Sequence, residues 1–426
     1  MARLAMRPRP RQDSAEVMKR LMAAGEGGLD KKGPLAGIRV IELTMNVLGP
    51  MAGQVLGDAG ADVIKIESPE GDPIRKIGPS RTVDMGPYFL NLNRNKRSVA
   101  LDLKQAPARA AMLRLIAGAD VFLHNIRPGA VARLGLDYAS LAALNPRLIY
   151  ASATGYRPGS SARDRPAFDD IIQGTSGLAS LNGIGFAGPG AAPRYVPTVI
   201  ADKVCGHTLA SAVGMALFAR ERSGRGQEVH VPMMDTMVAF NLVEHLWGAT
   251  IDAPEEGLGY GRVLSPNRRP YATADGFICV IASTDDQWRR LFGVIGRAEL
   301  FTDPRFATLS ARTENIDEVL GVLTAALAAH PTAYWAAKLD AADLPNGPAN
   351  SLQDLLDDDY LAEVGFFHRG THPTEGAMTL LSPPVAFSET PTSVRALPPK
   401  HGADTRAVLL EAGLSEAEIA AAAPNG

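Results

Sequence analysis

The chain has 426 residues, of which 46% are hydrophobic and 21% charged, with a formal net charge of −3. This balance suits a globular protein, leaves no case for disorder, and supplies no basic footprint for nucleic acid or an anionic membrane. An anionic ligand would have to be caught by a local basic cluster.

The length exceeds what one compact core accommodates, so two domains are expected. Cys205 and Cys279 are the two cysteines, too few for a disulfide framework or a cysteine-rich metal site, which fits a reducing, cytoplasmic setting. No apolar run approaches the roughly 20 residues that span a bilayer. Residues 1–32 begin with Arg3, Arg7, Arg9 and Arg11 and read as a flexible basic tail, with one short helical pattern at 17–24.

Ordered structure is predicted from Gly33. Residues 38–43 form a short apolar strand, 46–50 a turn, 51–58 a helix and 61–67 a second strand, a βαβ unit with a right-handed crossover. A helix over 107–117 and strands at 120–123 and 148–152 continue the pattern, which predicts a doubly wound, Rossmann-like α/β domain. Residues 206–222 give the strongest helical periodicity, stopped by Ser223-Gly224-Arg225-Gly226, and a strand resumes at 228–231. Beyond about Ser265, a strand at 276–282 and helices at 286–294, 315–328 and 332–342 predict a smaller α+β domain. The division expected is 33–250 for the first part of the large domain, 251–348 for a linker and the small domain, and 349–426 for a linker and a return to the large domain, with a helix at 405–412.

The first turn does not bind a dinucleotide by the usual means. Gly49 and Gly53 are present without G-x-G-x-x-G, and Pro50 removes a backbone donor, although Glu67 stands where a ribose-binding acid would lie. Basic residues gather elsewhere: Arg94, Lys96, Arg97 and Lys104 around one short strand, then Arg127 and Arg133 after another. Each alone reads as surface charge. Several at the carboxyl ends of parallel strands face the crevice where such sheets take phosphorylated ligands. Asp202 would most often be a helix N-cap. Cys205 reads as a packed thiol and Asp169–Asp170 as side chains that diverge. His368 and His372 have metal-like spacing, but Gly370 and Pro373 break any helix that would align them. Trp247, Trp288 and Trp335 read as core or interface residues.

Five stretches together resemble class III CoA-transferases: residues 37–67, NKRS-x-x-L-D-L-K at 95–104, N-x-R-P-G-x(3)-R at 125–133, RPAFD at 165–169, and IAD at 200–202 followed by a helix and SGRGQ at 223–227. The resemblance covers Gly33 to the C-terminus and rests on order and spacing more than on any one motif. It implies that Asp202 is a nucleophile. Its carboxylate, kept ionised by a helix N-terminus, would attack an acyl-CoA to give a mixed anhydride and then an aspartyl-CoA thioester. The resemblance also implies CoA contacts at Lys104, Asn125, Arg133 and Arg97, an active-site lining at Val47 and Phe168, and support from Asp169. CoA and acyl-CoA are implied as substrates beside a small carboxylic acid, with no tightly bound cofactor and no metal, in an interlocked homodimer. Val47 replaces the glutamine of formyl-CoA transferases, and GRVLSPNRRPY at 261–271 replaces their glycine-rich loop; both departures speak against oxalate or formate. The α-methylacyl-CoA racemases of the same fold need a second base, and carry a histidine where this chain has Phe168. A non-catalytic CoA-binding protein is the remaining alternative, and retention of Asp202 weighs against it. Arg268 and Arg269 are candidates to meet a second carboxylate of a dicarboxylic substrate.

Overall fold

The computed structural model describes residues 33–424; the basic tail and the helix expected at 17–24 lie outside them. The described chain divides into two compact units: one of 33–176, Pro197–Ala239 and 359–424, the other of Gly177–Val196 and Phe240–Asp358.

The larger unit is built on six strands: β1 (Arg39–Leu43), β2 (Asp62–Glu67), β3 (Lys96–Ala100), β4 (Val121–His124), β5 (Ile149–Thr154) and β6 (Gln227–Pro232). All pair in parallel, in the order β3-β2-β1-β4-β5-β6. This is the doubly wound order expected, and it reverses direction between β1 and β4. Because helices cover both faces, the inner strands are continuous apolar runs rather than alternating ones. Ile41, Ile64, Val99 and Phe122 are fully buried, together with Met112 and Leu115 of the helix Ala106–Ala117.

Helix α1 (Leu48–Asp58) starts earlier than residue 51 and takes Pro50 into its first turn. Proline is tolerated there because the first backbone N–H groups of a helix lack intrahelical partners anyway. A Cβ at Gly53 would fall 1.8 Å from Glu42 Oε2, so only glycine lets α1 lie this close to β1. Beneath that contact, Lys96 Nζ meets Glu42 Oε2 at 2.8 Å and donates to the Pro50 carbonyl at 2.8 Å. Buried charge thus ties β1, β3 and the first turn of α1 together.

The C-terminal stretch packs onto β3. Ser98 N–H donates to Asp404 Oδ2 and Asp404 N–H to the Ser98 carbonyl, while Ala100 N–H donates to Thr405 Oγ1. These bonds occupy the free edge of the sheet. Val408 and Leu409 of the helix Thr405–Glu411, and Ile419 of Glu416–Ala422, join the core described above.

The smaller unit has an antiparallel sheet of β7 (Tyr271–Ala272), β8 (Phe277–Val280) and β9 (Asn346–Pro348). Three of its helices are Asp285–Val294, Ile316–Leu327 and Thr332–Ala341. Thr284 and Gln287 form a capping box at the first of these. Ile278, Leu291, Phe292, Leu323, Leu327 and Leu339 fill the core around Trp288 and Trp335. The helix expected at 315–328 is preceded by a separate turn of helix, Leu309–Glu314, with Asn315 between. Trp247 departs from the other two tryptophans, being 42% exposed and stacked on Tyr260.

Candidate active site

The longest helix of the larger unit, α2 (Ile200–Ser223), begins six residues before the start expected from periodicity. Gly206 masks that start in the sequence, since glycine weakens helix propensity. Packing gives the reason for the glycine: a Cβ there would lie 2.7 Å from the Leu48 carbonyl, at the first residue of α1. Asp202 therefore stands inside the first turn of α2. Val199 is the N-cap and makes no side-chain cap, so Asp202 is not a capping residue.

Asp169 opens a short helix, Asp169–Thr175, and is buried. Its Oδ1 accepts the backbone N–H of Asp202 at 3.1 Å, and its Oδ2 accepts from Gln173 Nε2 at 2.6 Å. Burial pushes the Asp202 carboxyl up to about 7, and the negative charges of Asp169 and Asp170 push it the same way. The expectation that the helix N-terminus keeps Asp202 ionised therefore meets an opposing push, because desolvation and two like charges act against the carboxylate that the helix dipole favours. Tyr88, which no motif marked, is raised by burial and by the charges of Asp202 and Asp169. Its signal in the sequence is nil, because it sits on a four-residue helix, Pro87–Leu90.

Val47 is buried with Ile74, Met85 and Phe89, and Tyr88 and Val199 pack against that cluster. Phe168 is 64% exposed, next to the buried Asp169. Cys205 is fully buried and its thiol is pushed up to about 12 by burial and by Asp202, as suits a packed residue. His372 and His368 lie on a strand, Phe367–His372. Among the described residues no cluster of histidine, cysteine or acidic side chains has metal-binding geometry.

Three of the four expected CoA contacts follow the carboxyl ends of β3 and β4. Asn125 directly follows β4 and exchanges two hydrogen bonds with the main chain of Met45, at 2.8 and 3.1 Å, across the point where strand order reverses. Arg133 ends the helix Pro128–Arg133, and Lys104 lies four residues past β3; both are exposed. Asp164 accepts from Gly129 N–H at the start of that helix.

Arg97 does not join them. It lies near the amino end of β3, where its guanidinium pairs with Asp62 at 2.7 Å and Glu411 at 2.8 Å. Two other members of the basic run are also committed: Arg94 to Asp58 at 2.6 Å and Lys96 to Glu42. These are strand-tying ion pairs rather than a phosphate cluster. Glu67 is engaged as well, by Arg75 through two bonds of 2.7 Å and by Ser98 Oγ at 2.7 Å.

A family model described as CoA-transferase family III matches residues 35–405. The chain is 35% identical over 399 residues to a succinate–glutarate CoA-transferase of Agrobacterium fabrum, covering 90% of this chain and 96% of that protein. It is 37% identical over 346 residues to a probable fatty acyl-CoA transferase of Mycobacterium tuberculosis, covering 78% of this chain and 86% of the other. The fold matches the crystal structure of a CAIB/BAIF family protein from Brucella suis with a TM-score of 0.73, at 31% identity and over 90% and 100% of the two chains.

Proposed function

The chain belongs to CoA-transferase family III, and from that premise we propose that it moves CoA from an acyl-CoA to a carboxylic acid through covalent intermediates on Asp202. The observation that carries this reading is the placement of Asp202: a carboxylate in the first turn of the longest helix, half-buried, held by Asp169, and released from any capping role.

A carboxylate oxygen of Asp202 attacks the thioester carbonyl. The C–S bond breaks, leaving an aspartyl-acyl anhydride and CoA thiolate. The thiolate attacks the aspartyl carbonyl, freeing the donor acid as its carboxylate and leaving an aspartyl-CoA thioester. The acceptor carboxylate then attacks that thioester and expels the thiolate a second time. Thiolate attack on the new acyl carbonyl yields the product thioester and restores Asp202. No net proton is consumed. Burial favours the exchange because it keeps water from the anhydride. Lys104, Asn125 and Arg133 bind CoA in this reading, Val47 and Phe168 line the site, and Asp169 positions Asp202.

Relatives named for succinate and glutarate make succinyl-CoA the first donor to try, with mono- and dicarboxylic acceptors beside it. The remaining parts of the proposal are an interlocked homodimer, no tightly bound cofactor and a cytoplasmic setting. Asp202→Ala should abolish transfer while leaving CoA affinity within a few fold. Hydroxylamine or borohydride added after acyl-CoA should mark Asp202 in the wild type. Substantial turnover by the alanine variant would sink the covalent route.

A further inference from the structure

The smaller unit contains a pocket of about 500 Å³ whose lining includes none of the residues assigned above to CoA or to Asp202 and its support. That volume is within the range of small-molecule sites. Its rim carries Arg262, Arg268 and Arg269, and its floor is apolar, made by Trp288, Leu320 and Leu323. The floor residues are 4%, 6% and 2% exposed, so the surface beneath the guanidiniums belongs to the packed core. Tyr271 lines the pocket with them, and burial pushes its phenol up to about 12 against the pull of all three arginines.

The rim is built in advance of any ligand. Arg268 N–H closes a turn onto the Ser265 carbonyl at 3.0 Å, and Pro266 and Pro270 restrict the backbone on either side. Ser265 Oγ donates to Asp317, and Asn267 Nδ2 donates to the Asp317 carbonyl at 3.2 Å. Asp317 lies in the first turn of the same helix, Ile316–Leu327, that supplies Leu320 and Leu323 to the floor. None of the three arginines is ion-paired among the described residues, where 23 other ion pairs occur. Three guanidiniums lining one pocket without an acidic partner repel one another, and an anion relieves that cost. A bare anion would leave the apolar floor wet.

We propose that this pocket is a binding site for an organic carboxylate with an apolar body, its head held by Arg262, Arg268 and Arg269 and its chain laid on Trp288, Leu320 and Leu323. Binding there does not rest on Asp202 or on the transfer reading. The assignment of this site to a substrate acid does rest on that reading, and the test below leaves activity aside.

Cys279 lines the same pocket and is exposed, whereas Cys205 is buried with its thiol raised to about 12. Alkylation of the whole folded chain should therefore report on the pocket through Cys279, with Cys205 silent while the fold is intact. Hexanoate should slow iodoacetamide at Cys279 by about fivefold or more at saturation, and hexanamide or sulfate at equal concentration should not. Replacing Arg268 and Arg269 together by glutamine should abolish hexanoate protection. It should also lower the iodoacetate-to-iodoacetamide rate ratio by roughly fivefold, since only the first reagent is anionic. Should that variant expose Cys205 by unfolding, salt replaces it: 0.5 M NaCl should depress the iodoacetate rate of the wild type and spare iodoacetamide. Equal protection by hexanamide, equal protection by sulfate, or no protection by hexanoate overturns the proposal.

Discussion

Asp169 Oδ1 accepts the backbone N–H of Asp202 at 3.1 Å, so one carboxylate fixes the position of the other and at the same time raises its proton affinity. Burial first, and the charges of Asp169 and Asp170 after it, bring the carboxyl of the proposed nucleophile near neutrality instead of far below it.

The first expectation concerns pH. Transfer needs ionised Asp202, so kcat/KM should rise about tenfold per unit below pH 7 and level off above it. Asp169→Asn keeps an oxygen to accept the Asp202 N–H but removes its charge. The acid limb should then move down by about 0.5–1 unit. An unmoved midpoint in the pH profile would separate Asp169 from the ionisation of Asp202.

Stability should show the same group with the opposite sign. The Asp202 carboxyl lies at about 7 in the fold, against an ordinary value of 3.8. Between those values the folded chain holds a proton that the unfolded chain has released, so Asp202 costs stability as pH rises through that window. Asp202→Asn should be more stable than the wild type at pH 8 by about 1–3 kcal/mol, with the gain shrinking toward pH 4. Urea unfolding at both pH values tests this, and equal stabilities at pH 8 would mean that the carboxylate is not strained by its site.

Arg133 offers a test of where CoA lies. It is exposed at the end of its helix, beyond the carboxyl end of β4. Removing its guanidinium should raise KM for acyl-CoA by about tenfold to a hundredfold, the cost of a charge-assisted contact of about 1.5–3 kcal/mol. KM for the acceptor acid should change little. Equal effects on both would place Arg133 away from CoA.

Glu67 and Arg75 form a buried bidentate pair beside that crevice. Burial pushes Glu67 up, but Arg75, Lys65 and Ser98 outweigh it and hold the carboxyl at about 2. The stabilisation is present above the ordinary value of 4.5 and is lost as pH falls through 2. Arg75→Met should cost about 3–5 kcal/mol at pH 7, because it leaves a buried carboxylate short of its main partner. A urea midpoint close to that of the wild type would show that Lys65 and Ser98 suffice.

The interlocked dimer proposed above would have a hydrodynamic consequence. If each chain wraps its partner, neither leaves without opening its own fold, and the dimer should persist on dilution until the chain unfolds. Size measurement at nanomolar concentration checks this, and a folded, active monomer there would exclude the arrangement.

The chain's own pattern was enough to predict a doubly wound parallel sheet, whereas Asp202, which by itself reads as an N-cap, was marked only by the family resemblance. Apolar runs such as Val63-Ile64 and Phe122-Leu123, separated by helical periodicity, are the pattern of strands buried on both faces of a parallel sheet. The order of motifs placed Asp202, Asn125, Arg133 and Lys104 on segments that the sheet brings past its carboxyl ends. Spacing could not separate a ligand-binding cation from a structural one. Arg94, Lys96 and Arg97 look in sequence like Lys104, but their partners Asp58, Glu42, Asp62 and Glu411 come from distant segments. Nor could it reveal that Asp202 holds its proton to about pH 7, since that follows from burial and from Asp169, 33 residues away. Tyr88 and the floor beneath Arg268 and Arg269 were equally illegible. Local propensity acts along the chain, whereas desolvation and charge pairing depend on which segments fold into contact, and only the tertiary structure decides that.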